Sequence, residues 1–153
     1  ESEQKKDALV NEWLDQTLLI AQLASTLPLV GLIWTIQWVH YPLFSKVGNE
    51  TFVEYQARHM SRIGSVVGPL MLVEVLSALG LVIMAPTEPW ALAGMGLVIL
   101  IWASTAVIQI PCHHILTKGF DERAHRRLVG SNWIRTLAWT ARGVIAVVMI
   151  QGA

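Results

Sequence analysis

Charge is scarce in this chain: 14% of its 153 residues are Asp, Glu, Lys or Arg, against about 25% in ordinary soluble domains. So few charges cannot clothe a water-facing surface, and those present are clustered. There is a single cysteine, Cys112, which excludes an internal disulfide, a zinc ribbon and a thioredoxin-type pair. The sequence also lacks a HExxH helix, a glycine-rich phosphate loop and a nucleophile elbow, so hydrolase or kinase chemistry of the soluble kind is not expected. It has no repeat of 20 to 50 residues, which weakens the case for a small transporter built on internal symmetry. Formal net charge is zero and no long basic stripe exists, so nucleic acid is not an expected partner.

What fills the chain is apolar: 54% of the residues are hydrophobic. The clustered charges leave four windows, about residues 17–42, 63–85, 90–111 and 133–150. Each reaches the roughly twenty residues that cross a ~30 Å hydrocarbon core at 1.5 Å per residue. The expected fold is therefore all-α: an integral membrane four-helix bundle, up-down-up-down, as a single transmembrane domain over residues 1–153. The acidic, polar leader ESEQKKDALVNEWLDQ before the first window argues against a cleaved signal peptide.

Lys46, Arg58 and Arg62 lie between the first two windows. Lys118, Arg123, Arg126 and Arg127 lie between the last two, with Arg135 just inside the fourth. The other side offers Lys5 and Lys6 among acidic residues, and Glu88. The positive-inside rule puts both long loops in the cytoplasm and both termini outside. Short amphipathic interfacial helices are expected at about 3–15, 51–62 and 121–130. In the second, Thr51 and Glu54 fit a capping box, and Phe52, Gln56, His59 and Ile63 share one face. In the third, Asp121 follows Gly119, a usual helix stop, and can cap the start. Pro28 and Pro69 interrupt windows one and two, and Pro111 is expected to end the third.

Two ionisable residues fall inside the windows, Glu74 and Arg142, where such groups cost ~3 kcal/mol at the bilayer centre. Counted inward at 1.5 Å per residue they lie about 16 Å and 14 Å deep. They should therefore face the interior and interact. Arg135, Trp139 and Arg142 share a helix face, and the indole can stack on a guanidinium. Thr105, Gln109 and His113 repeat at i+4. Gln37 and His40 sit three apart at the end of the first window, and Asn132 precedes the fourth. All lie in the basic half, whereas the outer half reads as almost purely aliphatic.

Two uses of this polar half stay open. His40, His59 and His113, of which His113 rather than the adjacent His114 should face inward, are candidate ligands for a metal ion or haem, with Glu74 as a carboxylate ligand or proton carrier. Alternatively, Arg135, Arg142, Gln37, Gln109, Asn132 and Trp139 can receive the anionic or quinone-like head of a hydrophobic ligand, its tail lying between helices. Glu74, Arg135 and Arg142 are the residues expected to carry any catalysis. A non-catalytic role is the rival: an accessory subunit of a larger respiratory or photosynthetic membrane complex, or a homo-oligomer, in contact with lipid.

The run IQIPCHHILTKGFDERAHRRLVGSNWIRTLAWTARG (108–144) resembles a pattern found in small, uncharacterised four-helix bacterial membrane proteins. There a third helix ends in Gln-x-Pro-x-His and a GFD turn leads into an Asn-Trp-x-Arg-Thr helix. Gln109, Pro111, His113, Gly119, Phe120, Asp121, Asn132, Trp133, Arg135 and Thr136 match, and WVHYPLF at the end of the first window is similar too. The resemblance covers about a third of the chain. In architecture these proteins resemble the anthrone-oxygenase-like group, which implies an oxygenase or redox role by analogy.

Overall fold

The computed structural model describes residues 2–152, which form helices and turns without a strand. Helix α1 (Ser2–Thr35) passes into a wide π turn (Ile36–His40), a short helix α2 (Tyr41–Leu43) and a 3-10 turn (Phe44–Lys46). Helix α3 spans Asn49–Met84. Helix α4 (Pro89–Ser104) continues through a second π turn (Thr105–Gln109) into α5 (Ile110–Leu116), and α6 covers Glu122–Gln151. Four rods thus run up, down, up and down. Each packs on two neighbours: α1 on α3 and α6, and α4 on the same pair.

All four rods are long and apolar enough to cross a membrane, and only 28–39% of the apolar window in each is buried. The remaining apolar side chains point outward; Ile83, Val107 and Ile99 are more than half exposed. That surface suits hydrocarbon, not water, and helices with internally paired backbones are one of the two structures that span it. The protein is a multi-pass membrane bundle.

The expected interfacial helices at 3–15, 51–62 and 121–130 are not separate pieces. Each is the first part of a membrane rod, α1, α3 and α6 respectively. Continuing a helix keeps every amide bonded, and in α3 the buried face Phe52–Gln56–His59 runs on in phase, so nothing favours a break. The capping box at Thr51 does not form either. Gly48 is the N-cap, and the Thr51 hydroxyl donates to the Gly48 carbonyl at 3.1 Å. Asp121 does cap α6, accepting from the Ala124 amide at 2.7 Å. Gly119 turns the chain at φ 144°, a conformation side chains disfavour.

Pro111 does not end its rod. In a plain α-helix its ring presses on the carbonyl four residues back. Here the turn just before it is widened, with the Ile110 amide bonded to the carbonyl of Thr105. The same device precedes Pro42, where the Tyr41 amide bonds to the carbonyl of Ile36. A π turn inserts one residue and re-aims those after it, a feature frequent at functional sites. Gln37 and Gln109 both lie within these turns and both are buried.

Close approach at small residues occurs at two glycines. A Cβ on Gly80 would stand 2.9 Å from Leu18, and one on Gly94 would stand 3.1 Å from the Arg142 guanidinium. Gly64 and Gly68 of α3 are different: a Cβ on either would meet nothing within 4 Å.

Candidate functional site

Two polar centres occupy the interior. The deeper one is built on Glu74, which is fully buried. Its Oε1 accepts from Arg142 Nε at 2.9 Å and from the Thr26 hydroxyl at 2.9 Å, and its Oε2 accepts from the Trp139 indole at 3.0 Å. Arg142 also donates to the carbonyl of Gly94, where the absent side chain gives it room, while its Nη2 has no partner. The expected meeting of Glu74 and Arg142 is thus an ion pair with every carboxylate oxygen engaged. A half-bonded buried charge is costly, so the extra donors from α1 and α6 are what make the pair tenable.

This centre extends into the half that reads as purely aliphatic, which corrects that expectation. Gln22, Ser25, Thr26 and Ser77 are all buried there. Gln22 donates to Thr26 at 3.1 Å and accepts from Ser77 at 3.1 Å. Their spacing on α1, i, i+3 and i+4, was the available signal. Such side chains cost little individually in a membrane helix, so they do not stand out by composition.

The second centre, toward the basic end, is built on Arg135. Asn132 Oδ1 holds its Nε at 3.1 Å and its Nη2 at 2.5 Å, and Asn132 is itself held by Gln37, whose Oε1 accepts at 2.9 Å. Nη1 reaches the Thr105 hydroxyl and Nη2 the Tyr41 hydroxyl, both at 3.3 Å. The guanidinium carbon stands 5.8 Å over the Trp139 ring, so this indole joins the two centres. Gln37 and Asn132, expected to touch a cofactor, hold Arg135 in place. Among the described residues no carboxylate pairs with Arg135, although it is only 6% exposed.

Beside Arg135 lies a cavity of about 400 Å³ walled by all four rods. Its flanks are Leu29, Ile33, Val67 and Met71, and its polar end is Tyr41, Thr105, Gln109, His113, Arg135 and Trp139. Gly64, Gly68, Trp102, Ala106 and Ile110 also line it and are exposed, so its mouth opens sideways between α3 and the α4–α5 rod. Glu74 and Arg142 are not in its lining. The space beside Gly64 and Gly68 is part of this opening, which explains why a side chain there would meet nothing.

His40, His59 and His113 do come together, but not as a ligand set. His40 Nε2 lies 2.8 Å from His59 Nδ1, and His113 uses both nitrogens, with Tyr41 at 2.9 Å and Gln56 at 2.8 Å. Among the described residues no three His, Cys, Asp or Glu side chains converge as a metal site. Glu74 bonds elsewhere and joins none of them. His113 is buried and His114 exposed, as expected. His125 donates to the Tyr41 carbonyl at 2.8 Å. A second groove of about 500 Å³, between α1 and α3, holds His40, Tyr55, Arg58, His59 and Arg62. Leu32, Ile36 and Ile63 line both spaces and stand between them.

Tyr41 and Gln56 are the site residues that sequence reasoning missed. Gln56 lies on the recognised α3 face. Tyr41 is turned inward by the π turn that precedes it, which no local pattern announces. Compared with protein-family models, curated proteins and solved structures, the chain has no match.

Proposed function

We propose that this protein binds a lipid-soluble, quinone-like molecule, which enters from the bilayer through the opening between α3 and the α4–α5 rod. In this reading it is a redox or oxygenase-type protein of a bacterial inner membrane, with the basic loops in the cytoplasm. One observation carries the proposal: a buried guanidinium with no carboxylate partner among the described residues, held by neutral side chains, at the polar end of a largely apolar cavity. A buried cation in so poor a solvent is stabilised by any ligand that brings negative charge or acceptor oxygens. The cavity volume falls in the range of small-molecule sites, with the mixture of many apolar walls and few convergent polar groups that such sites show. The histidines favour this ligand over a metal, since His113 has no free nitrogen to offer.

The test is binding of a decyl-substituted benzoquinone to the purified protein in detergent, read by a ligand-dependent rise in unfolding temperature and by equilibrium titration. Wild type should be stabilised by RT ln(1 + L/Kd), with L the free ligand concentration, so its unfolding temperature rises with the logarithm of ligand concentration above Kd. Arg135→Met should remove most of that response while leaving the ligand-free protein as stable or more so, because a buried charge is gone. Equal binding by both proteins would refute the assignment of the cavity.

A further inference from the structure

The polar end of the cavity carries a proton inventory that identifies what faces the ligand. Gln56 presents its amide nitrogen to His113 Nδ1 at 2.8 Å. In this orientation the NH₂ group donates, Nδ1 accepts, and the Gln56 Oε1 is left without a partner. With Nδ1 accepting, the ring proton sits on Nε2. That Nε2–H points at the Tyr41 hydroxyl oxygen, 2.9 Å away, and Arg135 Nη2 donates to the same oxygen at 3.3 Å. Both lone pairs of Tyr41 are therefore occupied, and among the described residues no acceptor remains for its own hydrogen. Tyr41 is 3% exposed, so water outside the bundle does not serve it. Tyr41 lines the cavity.

We propose that Tyr41 reads the ligand's head group: its hydroxyl hydrogen, turned into the cavity by the tautomer that Gln56 imposes on His113, donates to an acceptor oxygen on the ligand. The inference rests on the cavity being a ligand site. Arg135 uses four of its five N–H groups on Asn132, Thr105 and Tyr41, which leaves one Nη1 hydrogen for the same purpose. Spare donors and a positive charge meet there without a spare carboxylate. The site thus selects an oxygen that accepts, a carbonyl or a carboxylate, and discriminates against an oxygen-free hydrocarbon. Gln56 and His113 are positioning residues that set the direction of the Tyr41 hydrogen.

The tautomer is tested without any ligand, by nitrogen NMR of ¹⁵N-histidine-labelled protein in nanodiscs. His113 should show a protonated Nε2 and an accepting Nδ1; a proton on Nδ1 would overturn the inference, since Tyr41 would then have to donate to His113. The ligand arm uses decyl-benzoquinone, decanoate and decylbenzene on wild type and Tyr41→Phe, a change that removes only the hydroxyl. Loss of one ligand hydrogen bond should weaken the oxygen-bearing probe that binds by about tenfold and leave decylbenzene unchanged. Whether the quinone or the carboxylate is the one that binds identifies the head-group source. Equal affinity of Tyr41→Phe for that probe sinks the role of Tyr41 while the cavity assignment stands. Failure of wild type to bind all three probes overturns both.

Discussion

Replacing Glu74 by leucine leaves the Arg142 charge 2% exposed with one protein acceptor, the Gly94 carbonyl, and strips the acceptor from Thr26 and Trp139. An uncompensated buried charge costs about 3–5 kcal/mol, so Glu74→Leu should lose about 4 kcal/mol. Arg142→Met should lose less, about 3 kcal/mol, because Glu74 keeps two donors, Thr26 and Trp139. If the effects were independent, the double variant would lose about 7 kcal/mol. With both charges gone, however, the residual cost is the two orphaned donors and some lost packing, about 4 kcal/mol in all, which is a coupling of about 3 kcal/mol. The assay is reversible unfolding of the four proteins in mixed micelles with increasing SDS. Additive losses would refute the argument that the pair is stabilised by mutual compensation. A control lies on the surface: Glu54 and Arg58 form a comparable pair with both side chains about two-thirds exposed, and Glu54→Gln should cost no more than about 0.5 kcal/mol.

The remaining expectations are simpler. Gly68→Leu places a side chain in open space beside the cavity; it should keep the unfolding temperature and abolish decyl-benzoquinone binding in the same titration, and unchanged binding would move the ligand elsewhere. Asp121→Ala removes the cap of α6 and should cost about 1 kcal/mol by SDS unfolding. Cysteines introduced at Thr87 and Lys118 on a Cys112→Ala background should react with an impermeant maleimide from opposite sides of the membrane, Lys118→Cys from the cytoplasm; labelling of both from one side would overturn the up-down-up-down path.

Some of this was legible because it depends on local sums. Four apolar windows fix four spans whatever packs against them, since backbone amides in hydrocarbon must bond within their own helix. The meeting of Glu74 and Arg142 followed from equal depth on antiparallel rods, where a charge has nowhere else to go. Arg135 and Trp139 followed from helical spacing, as did the inward face of His113 over His114. The polar residues of the half away from the basic loops, Gln22, Thr26 and Ser77, escape notice because hydroxyls and one amide barely lower the hydropathy of a window. Pro111 misled for a related reason: a proline forbids one hydrogen bond, but the turn before it can widen to absorb the loss, and only the surrounding packing decides whether it does.

The sequence by itself determined that the chain crosses a membrane four times, which residues were too polar to be there without partners, and which end of the bundle holds most of them. The tertiary structure decided how those partners divide. It gave Glu74 to Arg142, Thr26 and Trp139, and left Arg135, among the described residues, with uncharged hydrogen-bond partners only. It also decided that the four rods stand apart beside Gly64 and Gly68, leaving about 400 Å³ next to that guanidinium. A cavity is where atoms from several helices fail to meet, so no single stretch of sequence encodes it. The direction proposed for the Tyr41 hydrogen is of the same kind, because Gln56 and His113, which would set it, come from two other rods.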